Sequence, residues 1–249
     1  MTLSQLVTDP YNRRARLQPA LLAILPVFLV ALLLYPEVEA HSATLLGVAT
    51  YFGGAVWLTQ LGRERGKKLE PGLHARWGGK PSVAMLRHRD TRLNAPTKAR
   101  YHSTLGSQVP HMTLPTAEEE ANNSAAADET YEAASDWLLA NTRDTGAFRL
   151  IFEENMNYGF RRNYWALKPL AVSVNVVLIL LLSILFAQGW TGDLTTTLQG
   201  FDNLFWAAAA VPVLHLVATL LIVTDSWVGT VADAYAQQLL AATDILSKN

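Results

Sequence analysis

The residues best suited to chemistry in this sequence are basic side chains interleaved with aromatic ones along residues 63–102. Within that stretch, Trp77-Gly78-Gly79-Lys80-Pro81 combines an aromatic face, a permissive backbone and a cation. This combination suits an anionic ligand such as a nucleotide or a single-stranded oligonucleotide. The candidate ligand-binding residues are Arg63, Arg65, Lys67, Lys68, Arg76, Trp77, Lys80, Arg87, Arg89, Arg92, Lys98 and Arg100.

Two other interpretations of the basic stretch stay open. Residues 63–102 hold eleven Lys and Arg against three acids, whereas residues 116–154 hold ten acids against two Arg, so the two halves could neutralise each other. Basic clusters beside a membrane also hold a loop on the cytoplasmic side and contact anionic lipid headgroups. The glycines do not have the spacing of a P-loop, and no nucleotide hydrolysis is expected.

Catalytic and metal-binding patterns are not found in the sequence. There is no cysteine, and His74, His88, His102 and His111 do not follow a metal-ligand spacing. The chain also lacks a nucleophile elbow, a His-Glu-x-x-His helix and a kinase motif. We therefore expect no metal, no cofactor and no enzymatic activity.

Four apolar blocks in the sequence determine where the candidate ligand-binding residues lie. Residues 17–35, 43–61, 169–188 and 204–224 contain no Lys, Arg, Asp or Glu. As helices, blocks of this length are each about 30 Å long, which is the thickness of the hydrocarbon core of a bilayer. The sequence therefore predicts an all-α membrane protein of four transmembrane helices, arranged as two hairpins.

The distribution of basic residues predicts the orientation. The two short connections, residues 36–42 and 189–203, contain acids but no Lys or Arg, while sixteen basic residues lie between the second and third blocks. Because cytoplasmic loops carry the excess of Lys and Arg, this pattern places both termini and the central loop in the cytoplasm. A rival interpretation treats the first block as a secretory signal cleaved after Val38-Glu39-Ala40.

The expected domains follow from these blocks. They are a cytoplasmic N-terminus (1–16), a first hairpin (17–61), a mainly helical cytoplasmic domain (62–168), a second hairpin (169–224) and a cytoplasmic C-terminal helix (225–249).

Polar residues inside the blocks have two interpretations. Asn175 and Ser183 in the third block either line a pore shared by several subunits or, in a compact bundle, Asn175 bonds a neighbouring helix. In the second block, Gly47, Thr50, Gly53 and Gly54 form a small-residue face that predicts a close helix contact.

Local patterns predict part of the cytoplasmic domain. Thr116 and Glu119 have the spacing of a capping box, followed by a helix that reaches about Asn141. Residues 94–115, rich in Pro, Ser and Thr, predict an irregular connection. Arg161 and Arg162, just before the third block, are expected to couple the domain to the membrane.

The layout of two hairpins around a charged cytosolic domain, with Trp77-Gly78-Gly79-Lys80-Pro81 and Tyr158-Gly159-Phe160-Arg161-Arg162-Asn163, resembles small multi-pass membrane effectors of bacterial anti-phage defence systems. The Hailong-type membrane effector is similar in plan. That resemblance implies an oligomeric ion channel held shut by a nucleic-acid oligomer that a partner nucleotidyltransferase makes. It carries over no ligand-binding residue.

We therefore expect a homo-oligomeric effector in the bacterial inner membrane that forms or gates an ion-conducting pore. A cytoplasmic ligand, such as a nucleotide or oligonucleotide, or a cytosolic partner protein from the same system would control it. The alternative is a non-conducting membrane-anchored sensor or scaffold that recruits a cytosolic partner.

Overall fold

The computed structural model describes the backbone of residues 3–35 and 41–247 and the side chains of residues 6–35 and 53–247. Over these residues the chain forms helices and no β-strand, which confirms the all-α prediction. In chain order the elements are α1 (Leu3–Thr8), a π-helical segment (Asn12–Leu17), α2 (Gln18–Leu34), α3 (His41–Arg76), α4 (Pro81–Ala84), α5 (Ala95–Gln108), α6 (Ala117–Asn122), α7 (Ser124–Asn141), α8 (Arg149–Gln188), α9 (Leu194–Gln199), α10 (Asn203–Ile222), α11 (Asp225–Ala241) and α12 (Thr243–Leu246).

Three helical segments in the described part of the chain are long and apolar enough to cross a membrane. They are the continuous segment Asn12–Leu34, α8 and α10, and they correspond to the first, third and fourth apolar blocks. The second block lies within α3, but the side chains of residues 43–52 are outside the described residues. Gly47 and Thr50 of the predicted small-residue face fall in that stretch.

The surfaces of α8 and α10 are strongly apolar. Val177, Leu181, Leu214 and Leu221 are exposed, the last by 74%. Large contiguous apolar surfaces are rare on soluble proteins, whereas lipid is a favourable solvent for them. The helices therefore have both the length and the surface of membrane spans.

The chain divides into two compact units. Unit 1 consists of Met1–Leu69 and Gly159–Trp227, and unit 2 of Glu70–Tyr158 and Val228–Asn249. The helices α3, α8 and α11 each contribute residues to both units.

Small residues at the helix contacts allow unit 1 to pack closely. Helix α2 packs against α10, and Ala20 and Ala23 of α2 form a buried cluster with Leu167 and Ala171 of α8. A second cluster joins Val30, Leu182, Phe205 and Ala208. Alanine lets neighbouring backbones approach, which is the usual basis of helix packing in lipid.

Unit 2 has a conventional apolar core. Its fully buried side chains include Leu105 of α5 and Tyr131 and Leu138 of α7. Leu239 and Leu240 of α11 belong to the same cluster. These apolar side chains of α11 are therefore covered within the same unit.

Part of residues 94–115 differs from the sequence prediction, whereas residues 109–115 are irregular as predicted. Residues Ala95–Gln108 form α5 rather than an irregular connection. Pro96 lies in the first turn, where a missing N–H leaves no helical bond unmade, and the Asn94 side chain accepts a hydrogen bond from Thr97 N at 2.9 Å. Pro96, one of the prolines that suggested a loop, therefore lies at the start of a helix.

The predicted capping box is confirmed. Thr116 Oγ1 accepts from Glu119 N at 3.2 Å, and Glu119 Oε2 accepts from Thr116 N at 2.7 Å. The helix that follows is broken at Asn123, whose side chain accepts from Ala126 N and caps α7.

Candidate functional site

A two-point ion pair links the basic and acidic halves of unit 2. Arg87 Nε and Nη2 donate to Asp128 Oδ1 and Oδ2, both at 2.7 Å, and Nη1 donates to the carbonyl oxygen of Gly78. Bidentate guanidinium–carboxylate pairs are among the stronger hydrogen-bonded contacts in proteins. The Arg87 guanidinium is thus committed to partners within the protein.

Arg92 pairs with two carboxylates of unit 2. It donates to Asp90 Oδ2 at 2.7 Å and to Asp233 Oδ1 of α11 at 2.8 Å. Burial alone raises the pKa of Asp90, but the hydrogen bonds from Arg92 outweigh burial, and the pKa lies below its ordinary value. Asp90 is therefore charged at neutral pH and holds Arg92 between two carboxylates.

Other candidate ligand residues in unit 2 also have partners. Lys98 is buried, and its Nζ donates to the backbone oxygens of Arg87 and Asp90. Further ion pairs of these candidate residues join Lys80 to Glu132 and Asp136, Arg89 to Glu120, and Arg100 to Asp244. The internal neutralisation that the sequence left open is thus extensive, and anion binding by these residues stays a prediction.

The Trp77-Gly78-Gly79 stretch ends helix α3. Gly79 N donates to His74 O at 2.8 Å and Gly78 N to Ala75 O at 3.3 Å, the two bonds of a Schellman cap. Gly78 and Gly79 have φ angles of +77° and +135°, which only glycine adopts easily. The glycines therefore have a structural role, and the Trp77 ring packs against Gly229 of α11.

The other candidate cations lie on α3. Arg63, Arg65, Lys67 and Lys68 belong to unit 1, so the predicted basic cluster is divided between the two units. Arg65, Lys67 and Lys68 are exposed, as is Arg76 at the end of the helix. The first three are in none of the ion pairs found among the described side chains.

Glu120 is a functional candidate that sequence reasoning missed. Its side chain lies in the interior of unit 2, with the residue only 4% exposed, and accepts from Tyr131 Oη at 2.8 Å and from His88 N at 2.7 Å. Burial raises the pKa of Glu120, but these hydrogen bonds outweigh it and hold the pKa below its ordinary value. Burial together with the bond to Glu120 raises the pKa of Tyr131. The result is a buried carboxylate that stays ionised.

Two histidines adjoin this carboxylate network. The His88 and His102 rings meet edge to face, with centroids 4.8 Å apart, and His102 Nε2 lies 2.7 Å from Leu86 O. Burial lowers the pKa of His102, so its ring is neutral at pH 7. A cavity of about 550 Å³ opens beside both rings and is also lined by Asp90 and Lys98.

The helical period of the sequence could have located Glu120. Residues 120, 127, 131, 134 and 138 recur every three, four or seven positions and are all buried. Such spacing places them on one helix face, although Asn123 interrupts the backbone between the first two.

Unit 1 contains a separate polar network at one of the predicted pore residues. Asn175 is completely buried in α8, and its Nδ2 donates to Ala171 O at 2.7 Å and to His215 Nδ1 of α10 at 2.8 Å. Asn175 Oδ1 is buried with no hydrogen-bond partner among the described residues. Asn175 thus makes the helix–helix contact that the compact-bundle interpretation expects.

The hydrogen bond from Asn175 defines the protonation state and the tautomer of His215. Because Nδ1 accepts from the amide, the imidazole is neutral and carries its hydrogen on Nε2, which lies 3.2 Å from Tyr164 Oη. Tyr164 Oη is in turn 3.4 Å from Thr219 Oγ1. These side chains form a hydrogen-bonded chain between α8 and α10.

The remaining predicted residues have distinct surroundings. Ser183 is exposed and donates to Ile179 O in its own helix at 2.8 Å. Arg161 donates to Trp227 O at 2.8 Å and lies over that ring, whereas Arg162 is only 8% exposed. Asn175 and Ser183 therefore share a helix but not an environment.

The fold and these sites define an all-helical protein with helices suited to a membrane and a separate, charge-paired helical unit. Within the described residues there is no group of three or more side chains that could hold a metal ion. Comparison of the chain with protein-family models, with curated proteins and with solved structures finds no match.

Proposed function

We propose that the chain is an integral protein of the bacterial inner membrane that crosses the bilayer four times, with residues 62–168 and both termini in the cytoplasm. Three helices of sufficient length and apolarity support the placement, as do the exposed leucines of α8 and α10. The basic residues between the second and third blocks support the orientation.

In this proposal the protein is a homo-oligomeric effector of anti-phage defence that forms or gates an ion-conducting pore. The observation that carries it is the continuity of α8, whose 40 residues run unbroken from the core of unit 2 into the third apolar block. Rigid secondary-structure elements are among the structures that carry coupling between distant sites. Ligand or partner binding to the cytoplasmic residues would thus reach the pore.

The contact of Asn175 with His215 is the closed arrangement in this proposal. An unsatisfied amide oxygen and an imidazole within an apolar block are unfavourable in lipid and mark functional positions in many membrane proteins. Rotation of α8 would break this contact and turn Asn175 toward a path shared with other subunits.

The second span offers a surface for such assembly. A Cβ added at Gly53 or Gly54 would meet no described atom within 4 Å, so this part of the small-residue face is open. Glycine faces of this kind let helices of different subunits approach closely.

Ion flux from liposomes tests the proposal. We expect the purified protein to conduct in at least one state, with or without single-stranded oligonucleotides, and Asn175→Leu to change the flux. Val177→Leu is the matched control, because Val177 is an exposed apolar residue on the same helix. Absence of flux from the wild type under every ligand condition would contradict a pore.

A second function is favoured by the ion pairs of unit 2. Arg87, Arg92 and Arg100 are already paired with carboxylates of the same unit, so they are less available to an anionic ligand, which favours a function without one. The chain would then be a non-conducting anchor that recruits a cytosolic partner of the same system. If a pull-down with this protein recovers that partner and the membrane potential of the cells stays intact, the result would favour this function over a pore.

A further inference from the structure

One face of α8 carries three polar side chains that contact other elements of unit 1. Arg161, Lys168 and Asn175 follow one another at intervals of seven residues. Seven residues are about two helical turns, so these side chains lie along one stripe of the helix. The stripe places Asn175 at His215 of α10 and the other two side chains at the corner between α10 and α11.

Lys168 closes the end of α10. The helix ends at Ile222, and the last carbonyl oxygens of a helix have no partner within it. Lys168 Nζ donates to Val223 O at 2.7 Å and to Leu220 O at 3.3 Å. A cation at this end also interacts favourably with the helix dipole. The Lys168 ammonium therefore joins the end of α10 to α8.

Arg161 holds the first turn of α11. Its Nη1 donates to Trp227 O at 2.8 Å, and its guanidinium carbon lies 4.7 Å from the centroid of the Trp227 ring. A guanidinium over an indole face is an attractive cation–π contact. Phe160 and Tyr164 meet the same ring edge to face, each with centroids 6.4 Å apart. The start of α11 is thus held against α8.

The corner connects this contact to unit 2. Between α10 and α11 the two residues Val223 and Thr224 are not helical, and Thr224 Oγ1 accepts from Trp227 N at 3.2 Å. Helix α11 then continues into unit 2, where Leu239 and Leu240 are buried in the core. A displacement of α11 therefore reaches the corner along a single helix, and rigid elements of this kind carry coupling between distant sites.

Tyr164 links the corner to the Asn175 contact. It lies on the same stripe of α8, its ring meets Trp227, and its hydroxyl lies 3.2 Å from His215 Nε2. A rotation of α8 that takes Asn175 from His215 also takes the rest of the stripe from the corner. The carbonyl oxygens at the end of α10 would then lose their donor, which makes the rotation unfavourable while the corner stays in place.

We propose that Arg161 and Lys168 form a latch that holds α8 in the closed arrangement until α11 moves. Movement of α11 withdraws the corner, and α8 can then turn Asn175 away from His215. The latch rests on the pore function proposed above, since that function supplies the rotation of α8. Its contacts are nevertheless testable without ion conduction.

Thiol labelling of the full chain in detergent tests the latch, because the sequence contains no cysteine. Ala171→Cys is the reporter, since Ala171 is completely buried and lies on the stripe between Lys168 and Asn175. We expect Lys168→Met to raise the rate at which N-ethylmaleimide labels this reporter by about tenfold, because one hydrogen bond to a charged group shifts an opening equilibrium by about that factor. Lys168→Arg keeps a donor at the corner and should label like the reporter alone.

Arg161→Gln tests the other half of the latch and should also accelerate labelling. Arg149→Gln is the control, because Arg149 is an exposed arginine of the same helix that pairs with Glu153. A second reporter, Ala134→Cys in the core of unit 2, detects general loosening. Unchanged labelling in both latch variants, or an equal rise at the two reporters, would overturn the latch.

Ion flux from liposomes separates the failure of the latch from the failure of the pore. If the latch restrains a pore, Lys168→Met should show a higher basal flux than the wild type. A wild type that conducts, together with unchanged labelling in the latch variants, would overturn the latch alone. Faster labelling in a protein that conducts in no state would support the restraint on α8 and contradict the pore.

Discussion

Arg87 and Asp128 form a two-point ion pair across 41 positions of sequence, with both nitrogen–oxygen distances at 2.7 Å. This contact fastens the segment after α3 to α7 and neutralises one cation that the sequence offers for ligand binding. An anionic ligand at Arg87 would have to displace Asp128.

Asp128→Asn tests whether this pair is structural or occupies a ligand site. We expect the free energy of unfolding to fall by about 1.5–3 kcal/mol, the usual range for a hydrogen bond to a charged group. Glu129→Gln changes the same charge at an exposed neighbour and should have little effect. Chemical unfolding followed by circular dichroism measures both. If Asp128→Asn instead leaves stability unchanged and increases oligonucleotide binding, the result would support Arg87 as a ligand-binding residue.

The glycines after Trp77 predict an ordered series of stabilities. In Gly78→Ala the new side chain meets no atom within 4 Å, but alanine at a φ of +77° is strained. The substitution should therefore lower the free energy of unfolding by about 1 kcal/mol. Gly79→Ala should cost more, about 2–3 kcal/mol, because its Cβ would lie 2.7 Å from Arg87 Nη2 in addition to the strain.

Gly72→Ala is the control for this series. Gly72 lies inside α3, and an added Cβ meets nothing within 4 Å, so alanine should be neutral or stabilise by up to about 1 kcal/mol. Melting temperatures that place Gly78→Ala and Gly79→Ala level with Gly72→Ala would contradict the cap.

Glu120 should make unit 2 sensitive to acid. Because its pKa is lower in the folded state, ionised Glu120 adds stability above its ordinary pKa of 4.5, and this stability is lost as the pH falls through the folded pKa. Glu120→Gln should therefore weaken the fold by about 1–3 kcal/mol at pH 7 but flatten the pH dependence below about pH 5.

Glu118→Gln, at an exposed position two residues earlier, is the matched control for this measurement. His102 affects the stability at higher pH than Glu120 does. Its pKa is lowered from 6.5, so its contribution to stability declines as the pH falls below that value. A pH profile of Glu120→Gln that parallels the wild type below pH 5 would show that Glu120 does not control acid sensitivity.

The pair Asn175 and His215 should have a measurable coupling energy. Asn175→Leu and His215→Leu each leave one polar partner in an apolar region, and the coupling should be about 0.6–1.7 kcal/mol, the range for hydrogen bonds between membrane helices. A double-mutant cycle in detergent unfolding measures it. Additive losses would mean that the 2.8 Å contact contributes nothing to folding.

Local patterns were predictable because their causes are local. The apolar blocks depend on runs of adjacent side chains, and the capping box at Thr116 depends on residues three positions apart. The interpretation of residues 94–115 as a connection was wrong for residues 95–108, because proline breaks a helix interior but is tolerated in a first turn, and composition alone does not distinguish these positions.

The sequence by itself determined that the chain is helical, that it carries apolar segments of membrane length and that its charges are segregated. Only the tertiary structure decided that Asn175 turns toward His215 and that Glu120 is buried against Tyr131. Hydropathy and capping act between neighbours along the chain. The partner of each polar group depends on how the helices pack and rotate, because an unpaired group in the interior is unfavourable and the available partners come from distant sequence.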